Sequence, residues 1–314
     1  IISRNNSPDV PFGQSINPYQ GCEHGCVYCY ARPTHAYLDL SPGLDFETKL
    51  TYKANAAQCL RAELGRRGYA CAPITLGANT DPYQPVEKTL GITRQVLKVL
   101  QSCRHPFSII SKGGLITRDL DILSDMARDG LCSVAISVTT LDADLKRHLE
   151  PRAASHHARL DAIEQLSSAG VPVTLLFAPV IPGLNDQDME EIVRQAADAG
   201  AQSAGCILLR LPLELRDLFH GWLKEHYPLR AQHVISLLRQ CRAGADSDSQ
   251  FGGRMRGTGP VADLIQRRFS LACRRHGLHE RETPALRTEL FRPPVPQPTD
   301  APETGRQQDL FAQA

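Results

Sequence analysis

The sequence predicts an α/β protein, a partial (β/α)6 TIM-like barrel with a helical, basic C-terminal extension and a disordered tail. Three observations lead there. Between about residues 70 and 210, short apolar runs alternate with amphipathic stretches. The runs are continuous rather than alternating in polarity, as in a parallel sheet covered by helices. Counting from residue 15, about six such β/α units occur, which suits an incomplete barrel better than a doubly wound sheet.

Residues 15–20 open the sheet. Residues 73–78 (PITLGA) read as a buried strand, and the helix expected over 86–102 places Val96, Leu97, Val99 and Leu100 on one side. A strand over 107–111 (FSIIS) precedes a helix over 118–128. A strand over 133–138 precedes a helix over 157–169, with Gly170 as its C-terminal stop. Residues 171–178 (VPVTLLFA) form the next strand, 186–199 a helix stopped by Gly200, and 203–209 the last strand. Beyond 210 the pattern turns helical, over 214–225 and 229–241. A stretch rich in Gly, Asp and Ser (243–259) leads to a final helix over 261–276. Residues 293–305 are rich in proline and polar side chains and predict disorder. The expected organisation is a barrel over 1–242, an Arg-rich helical extension over 243–292 and a tail over 293–314.

The 314 residues are 42% hydrophobic, enough for a real core, and the net charge of +1 points to no particular partner. No apolar run approaches the roughly 20 residues needed to cross a bilayer, which predicts no membrane association. The N-terminus is polar within a few residues, unlike a secretory signal, and the start at Ile1 reads as a segment lacking its true beginning. Ten cysteines without regular spacing outside 22–29 fit reduced thiols in a cytoplasmic protein better than a disulfide framework.

Cys22, Cys26 and Cys29 carry the chemistry. A short loop with that spacing can place three thiolates on one face of a [4Fe–4S] cluster, leaving the fourth iron open. The rival reading is a structural zinc knuckle with His24 as fourth ligand. Zinc sites generally pair two Cys-x2-Cys elements, and no second pair is present. Because the loop directly follows the first strand, a barrel would place it at the end where chemistry is done.

The pattern Cys22-x3-Cys26-x2-Cys29, with Tyr28 before the last cysteine, resembles the signature of the radical S-adenosylmethionine (SAM) superfamily. Three further stretches, Asn17-Pro18-Tyr19-Gln20-Gly21-Cys22, Thr80-Asp81-Pro82-Tyr83-Gln84-Pro85-Val86-Glu87 and Ile181-Pro182-Gly183-Leu184-Asn185-Asp186, resemble its spore photoproduct lyase-like branch, often described as DNA-repair-photolyase-like. The resemblance covers roughly residues 12–240. It implies a [4Fe–4S] cluster whose open iron is chelated by SAM. Reductive cleavage of SAM then gives methionine and a 5′-deoxyadenosyl radical. It also implies a flavodoxin- or ferredoxin-type electron donor.

SAM would need a cation at its carboxylate, acceptors at its ammonium and ribose, and an apolar wall against adenine. Lys112, after the third strand, is the candidate for the carboxylate. Asn79, Thr80 and Asp81 are candidates for the ammonium. Ser137 and Thr139 end the fourth strand and suit carboxylate or ribose; Glu150, Arg152 and Arg159 suit charge-assisted bonds. The rigid segment at Pro179 suits adenine. Each has a plainer reading: exposed loop residues, local backbone hydrogen bonds, surface ion pairs or turn starts.

One departure stands out. The resembling branch carries a radical-relaying cysteine just past the second strand, whereas no cysteine lies between Cys71 and Cys103 here. That puts thymine-dimer cleavage by this route in doubt and leaves Tyr83 as a substitute relay.

Two features point toward nucleic acid. Residues 251–292 hold nine arginines against four acids, and Arg254, Arg256, Arg267 and Arg268 are candidate phosphate contacts. Their plainer role is a solvated helix face. The terminal Gln307-Gln308-Asp309-Leu310-Phe311 resembles the peptide that binds the bacterial sliding clamp, through Gln307, Leu310 and Phe311. The leading expectation is therefore a radical SAM enzyme acting on nucleic acid, in DNA repair. The rivals are the same chemistry on a protein or small molecule, and a non-enzymatic Fe–S adaptor or redox sensor bound to the clamp.

Overall fold

The computed structural model describes residues 1–247, 250–280 and 285–294. The clamp-like peptide at Gln307, Leu310 and Phe311, and most of the Pro-rich tail, lie outside them.

Six parallel strands stand side by side in chain order: β1 (Gln14–Ile16), β2 (Ile74–Leu76), β3 (Phe107–Ser111), β4 (Cys132–Ser137), β5 (Val173–Val180) and β6 (Ser203–Leu208). Short strands extend both edges, Ser3–Arg4 antiparallel on β1 and His279–Glu280 parallel on β6. Among the described residues β1 and β6 do not pair, so the barrel stays open. The inner strands are buried almost throughout, which is why their sequences read as unbroken apolar runs.

The outer helices are α1 (Ala56–Leu64), α2 (Ile92–Ser102), α3 (Leu120–Arg128), α4 (His156–Ser168), α5 (Met189–Asp198), α6 (Leu215–His226), α7 (Pro228–Gln240) and α8 (Gly259–Arg275). The four buried residues expected on α2 face the core as predicted. Ser155 caps α4 by accepting from the Ala158 amide at 3.2 Å. Gly170 and Gly200 follow α4 and α5 in left-handed conformations, φ +78° and +94°.

Several boundaries differ from the sequence expectation. The strand expected over 15–20 stops at Ile16, since Pro18 offers no amide to a ladder. Tyr19–Gln20 instead pairs antiparallel with Thr51–Tyr52 in a separate ribbon. The helix expected over 86–102 is broken at Gly91, φ +62°. Buried Glu87, in the turn before the break, accepts the Thr93 amide at 2.9 Å, so a carboxylate sits at the N-terminus of α2.

Within the stretch set apart as an extension, 243–292, α8 packs on the barrel. Ala262, Ile265, Phe269, Ala272 and Cys273 of α8 are buried in the main core. The Leu208 amide at the end of β6 donates to Met255 O at 2.9 Å, which ties the loop before α8 to the barrel mouth. No helix among the described residues is long and apolar enough to cross a membrane.

Candidate functional site

The cysteine loop leaves β1 and lies across the mouth. Its path is set by two glycines and two buried polar side chains. Gly21 has φ +82°, and a Cβ there would meet Leu50 Cδ2 at 2.7 Å. Gly25 has φ +69° and lies against the guanidinium of Arg152. Arg32, buried just past the third cysteine, donates from Nε to Cys26 O at 2.8 Å and from Nη2 to Gly25 O at 3.1 Å. Its Nη1 holds Gly43 O at 2.8 Å, and Nη2 pairs with Glu47. Gln84, fully buried, accepts the Glu23 amide at 2.9 Å and donates to Gly21 O at 3.2 Å. Backbone bonds close the turns, Gly25 N to Cys22 O at 3.4 Å and Cys29 N to Cys26 O at 3.2 Å.

The donor set tests what the loop can hold. All ten cysteines are free, so no disulfide competes. Burial raises the Cys22, Cys26 and Cys29 thiols, Cys26 to about 12, and for Cys22 the neighbouring Asp81 and the two other cysteines add to it. As they stand these groups are neutral thiols, and only a positive group bound between them would hold them as thiolates. His24 turns away from that centre, its Nδ1 3.5 Å from Asp81 Oδ2. Among the described residues, no three His, Cys, Asp or Glu side chains converge on a single-ion position. A zinc ion needs such convergence, whereas a cubane takes one thiolate per iron. Three free thiols in one loop are a donor set of the kind a cubane takes.

Directly under the loop lies a buried polar network. The Tyr28 hydroxyl donates to Glu150 Oε1, and the Thr139 hydroxyl reaches the same oxygen at 2.7 Å. Glu150 pairs through its other oxygen with Arg159, which also donates to Ser137 O and Ala154 O, each at 2.9 Å. Burial would raise the Glu150 carboxyl, but the charges of Arg159 and Lys112 outweigh it and hold it well below the usual range.

Asp81 forms a second hub. It accepts from Ser111 Oγ at 2.8 Å and from the amides of Tyr83 at 2.8 Å and Lys112 at 2.7 Å. It thereby locks the loops after β2 and β3 to His24.

These contacts sort the expected site residues. Thr80 is buried with its hydroxyl on Tyr19 O at 2.7 Å, and Ser137 donates to Ala178 O at 3.0 Å. Glu150 and Arg159, expected beside the ligand, are instead sealed beneath the loop and bonded to one another; Thr139 belongs to the same network. Arg152 grips Glu23 O and Glu47 from outside. Pro179 follows a cis peptide bond, and its carbonyl is held by Asn185 Nδ2 at 2.9 Å.

Two candidates remain open. Lys112 makes no ion pair among the described residues, and its Nζ stands 5.8 Å from the Tyr28 ring centroid. The Asn79 side chain has no hydrogen-bond partner among the described residues, its amide N–H being held by Asn17 Oδ1 at 3.0 Å.

Tyr83 does not face the mouth. It is 2% exposed, and its hydroxyl donates to Asp119 at 3.0 Å inside a cluster with Arg94, Arg118 and Glu87. The tyrosine at the mouth is Tyr30, which follows Cys29, is 49% exposed and donates to Ala78 O just past β2.

Of the candidate phosphate contacts, Arg254 pairs with Asp9 and lies 4.4 Å from the Phe251 ring centroid. Arg268 pairs with Asp186 and Glu190 at 3.0 and 2.8 Å, far from free. Arg256 and Arg267 are exposed.

The sequence reading passed over Arg32, Gln84, Tyr30 and Arg210. The visible trace of Arg210 is one cation inside the apolar run Leu208-Leu209-Arg210-Leu211-Pro212.

Comparison with known proteins agrees with this geometry. The profile described as "Radical SAM superfamily" matches residues 16–196. An uncharacterized protein of Mycobacterium tuberculosis is 37% identical over 237 residues, covering 75% of this chain and 70% of that protein. One of Methanocaldococcus jannaschii is 28% identical over 171 residues, covering 54% of this chain and 61% of that protein. Among solved structures, spore photoproduct lyase complexed with dinucleoside spore photoproduct superposes with TM-score 0.57 at 15% identity, over 88% of this chain and 79% of that one. A mutant of the same lyase with bound AdoMet gives 0.58 at 16%, with the same coverage. The profile takes in the cysteine loop and strands β2 to β5, over more than half of the chain: this chain belongs to the radical SAM superfamily and is an enzyme of that class.

Proposed function

We propose that this protein carries a [4Fe–4S] cluster on Cys22, Cys26 and Cys29 and uses SAM bound beside it to act on a nucleic-acid substrate. When bound, the cluster supplies the electron that cleaves SAM. The chain's own residues bind and orient. Lys112, a cation without a carboxylate partner among the described residues, meets the SAM carboxylate, and the Asn79 side-chain Oδ1 accepts from the ammonium. The Glu150–Arg159–Tyr28 network fixes the loop so that the three thiols keep their places.

The observation that carries the substrate class is the rim of the mouth. Arg210 lies within electrostatic reach of exposed Tyr30, which follows Cys29, and the loop before α8, tied to the end of β6, carries exposed Arg256 and exposed Phe251, over whose ring the Asp9-paired Arg254 lies. That combination suits a phosphate backbone and unstacked bases. The dinucleoside lesion held by a structural relative of the same fold supports the reading, with DNA repair as its specific form. A flavodoxin- or ferredoxin-type protein completes it as electron donor.

The test is a SAM-cleavage assay on the reconstituted protein with strong reductant, with and without oligonucleotides. Nucleic acid is expected to bind and to raise 5′-deoxyadenosine formation. Failure of single- and double-stranded DNA and RNA to bind, with stimulation by a protein or small metabolite instead, would reject the substrate class.

A further inference from the structure

We infer that Arg210 is the anchor for one backbone phosphate of the substrate, holding it against the cysteine loop. The inference deepens the nucleic-acid reading and rests on it.

Arg210 follows β6 directly, where the chain reaches the mouth. Its backbone is unusually well fixed. The Leu209 amide donates to Val180 O at 2.9 Å, Arg242 Nη2 donates to Leu209 O at 2.8 Å, and Leu208 is held by the loop before α8. The side chain is treated quite differently. Among the described residues the guanidinium pairs with no carboxylate, and its one recorded polar contact is from Nη1 to the sulfur of Met255 at 3.8 Å, a weak acceptor. Its Nε is buried with no partner. A buried, unbonded N–H bears its full desolvation cost, and native proteins seldom leave one so. Arginine elsewhere in this molecule is generously bonded, as Arg32, Arg159 and Arg268 show.

The surroundings identify the missing partner as an anion. Burial, and after it the charge of Arg254, lower Arg210, so its charge is under-compensated where it stands. Tyr30 and Asp9 act on it in the opposite sense, which places it within electrostatic reach of the tyrosine that follows Cys29. Asp9 is committed to Arg254 and to the Gly252 amide, at 2.7 Å for the latter. A guanidinium fork takes two oxygens of one phosphate, and exposed Tyr30 offers a base a face to stack on. A phosphate held there brings the adjoining nucleotide toward the loop that carries Tyr30.

The experiment pairs a protein change with a substrate change. Cluster-reconstituted wild type, Arg210→Gln and Arg210→Lys are titrated with short single-stranded oligonucleotides, fully charged or carrying one neutral methylphosphonate scanned along the backbone. Wild type is expected to lose about tenfold in affinity at one linkage position, and Arg210→Gln to bind about tenfold more weakly and to be indifferent to that position. The slope of log affinity against log salt should fall by about 0.7 in Arg210→Gln, one phosphate's share for a single strand, and not in Arg210→Lys. If wild type binds but Arg210→Gln keeps both affinity and the position dependence, Arg210 is not the anchor. Loss of SAM affinity with oligonucleotide affinity retained would assign the residue to SAM and also overturn the inference. Should Arg210→Gln fail to fold, Arg210→Lys must still show weakened discrimination at the same linkage. If wild type binds no oligonucleotide, the substrate class itself fails, and this inference with it.

Discussion

Beneath the cysteine loop, Glu150, Arg159, Tyr28 and Thr139 are all at most 7% exposed, and every polar side-chain atom among them has a partner. At the mouth, on the other side of the same loop, Lys112, Asn79 and Arg210 stand without carboxylate partners among the described residues. Both groups are polar. The difference is what has been satisfied. Charges paired inside a low-dielectric layer hold a shape, and removing one member is costly. Charges left unpaired near the surface are available to a ligand, and removing them costs the fold little.

The largest effect should come from breaking the inner layer. Glu150→Ala leaves Arg159 buried and uncompensated, and should cost about 3–5 kcal/mol. Denaturant unfolding of the cluster-free protein measures it, and a loss within ~0.5 kcal/mol would erase the contrast between the layers. The same carboxylate gives a pH signature. Its folded pKa lies at about 2, below the ordinary 4.5, so the folded state gives up the proton more readily than the unfolded state. Its stabilisation is therefore complete above about pH 4.5 and lost as the pH falls toward 2. Glu150→Gln should flatten that acid limb in a series of unfolding curves.

The mouth should respond in the other currency. Lys112→Gln is expected to fold like wild type and to lose about 1.5–3 kcal/mol of SAM affinity, roughly 10- to 150-fold, by equilibrium dialysis with reconstituted protein. If it melts early and binds SAM normally, Lys112 belongs with the inner layer.

Least affected should be Arg268→Gln. Its two carboxylate partners already neutralise it, so stability should change by about 0–1 kcal/mol and oligonucleotide affinity hardly at all. Arg256→Gln, with its exposed side chain, should instead lower the salt slope.

The β/α alternation was readable because no residue of the inner strands is exposed and most are apolar. The cysteine loop was readable because its spacing is local. Burial is not local, and that is where the reading failed. Glu150 closes a short helix (Ala143–Leu149) and Arg159 lies in α4, and in the sequence both look like surface charges. Only the fold shows them meeting Tyr28 from the cysteine loop and Thr139 from the end of β4. Arg210 was overlooked for the complementary reason: a lone arginine in an apolar run carries no pattern, and its meaning lies in the partner it lacks. Arg254 and Arg268 were counted as free cations because their acids, Asp9, Asp186 and Glu190, lie up to 245 residues away in the chain.

The central claim is that Cys22, Cys26 and Cys29 hold a cluster with an iron open to SAM. Anaerobic reconstitution, iron and sulfide determination, and a SAM-cleavage assay under strong reductant test it in one series. The account predicts about four irons per chain, formation of 5′-deoxyadenosine and methionine, and loss of both cluster and product in Cys22→Ala, Cys26→Ala and Cys29→Ala. A fully loaded, reduced wild-type protein that forms no 5′-deoxyadenosine would contradict it.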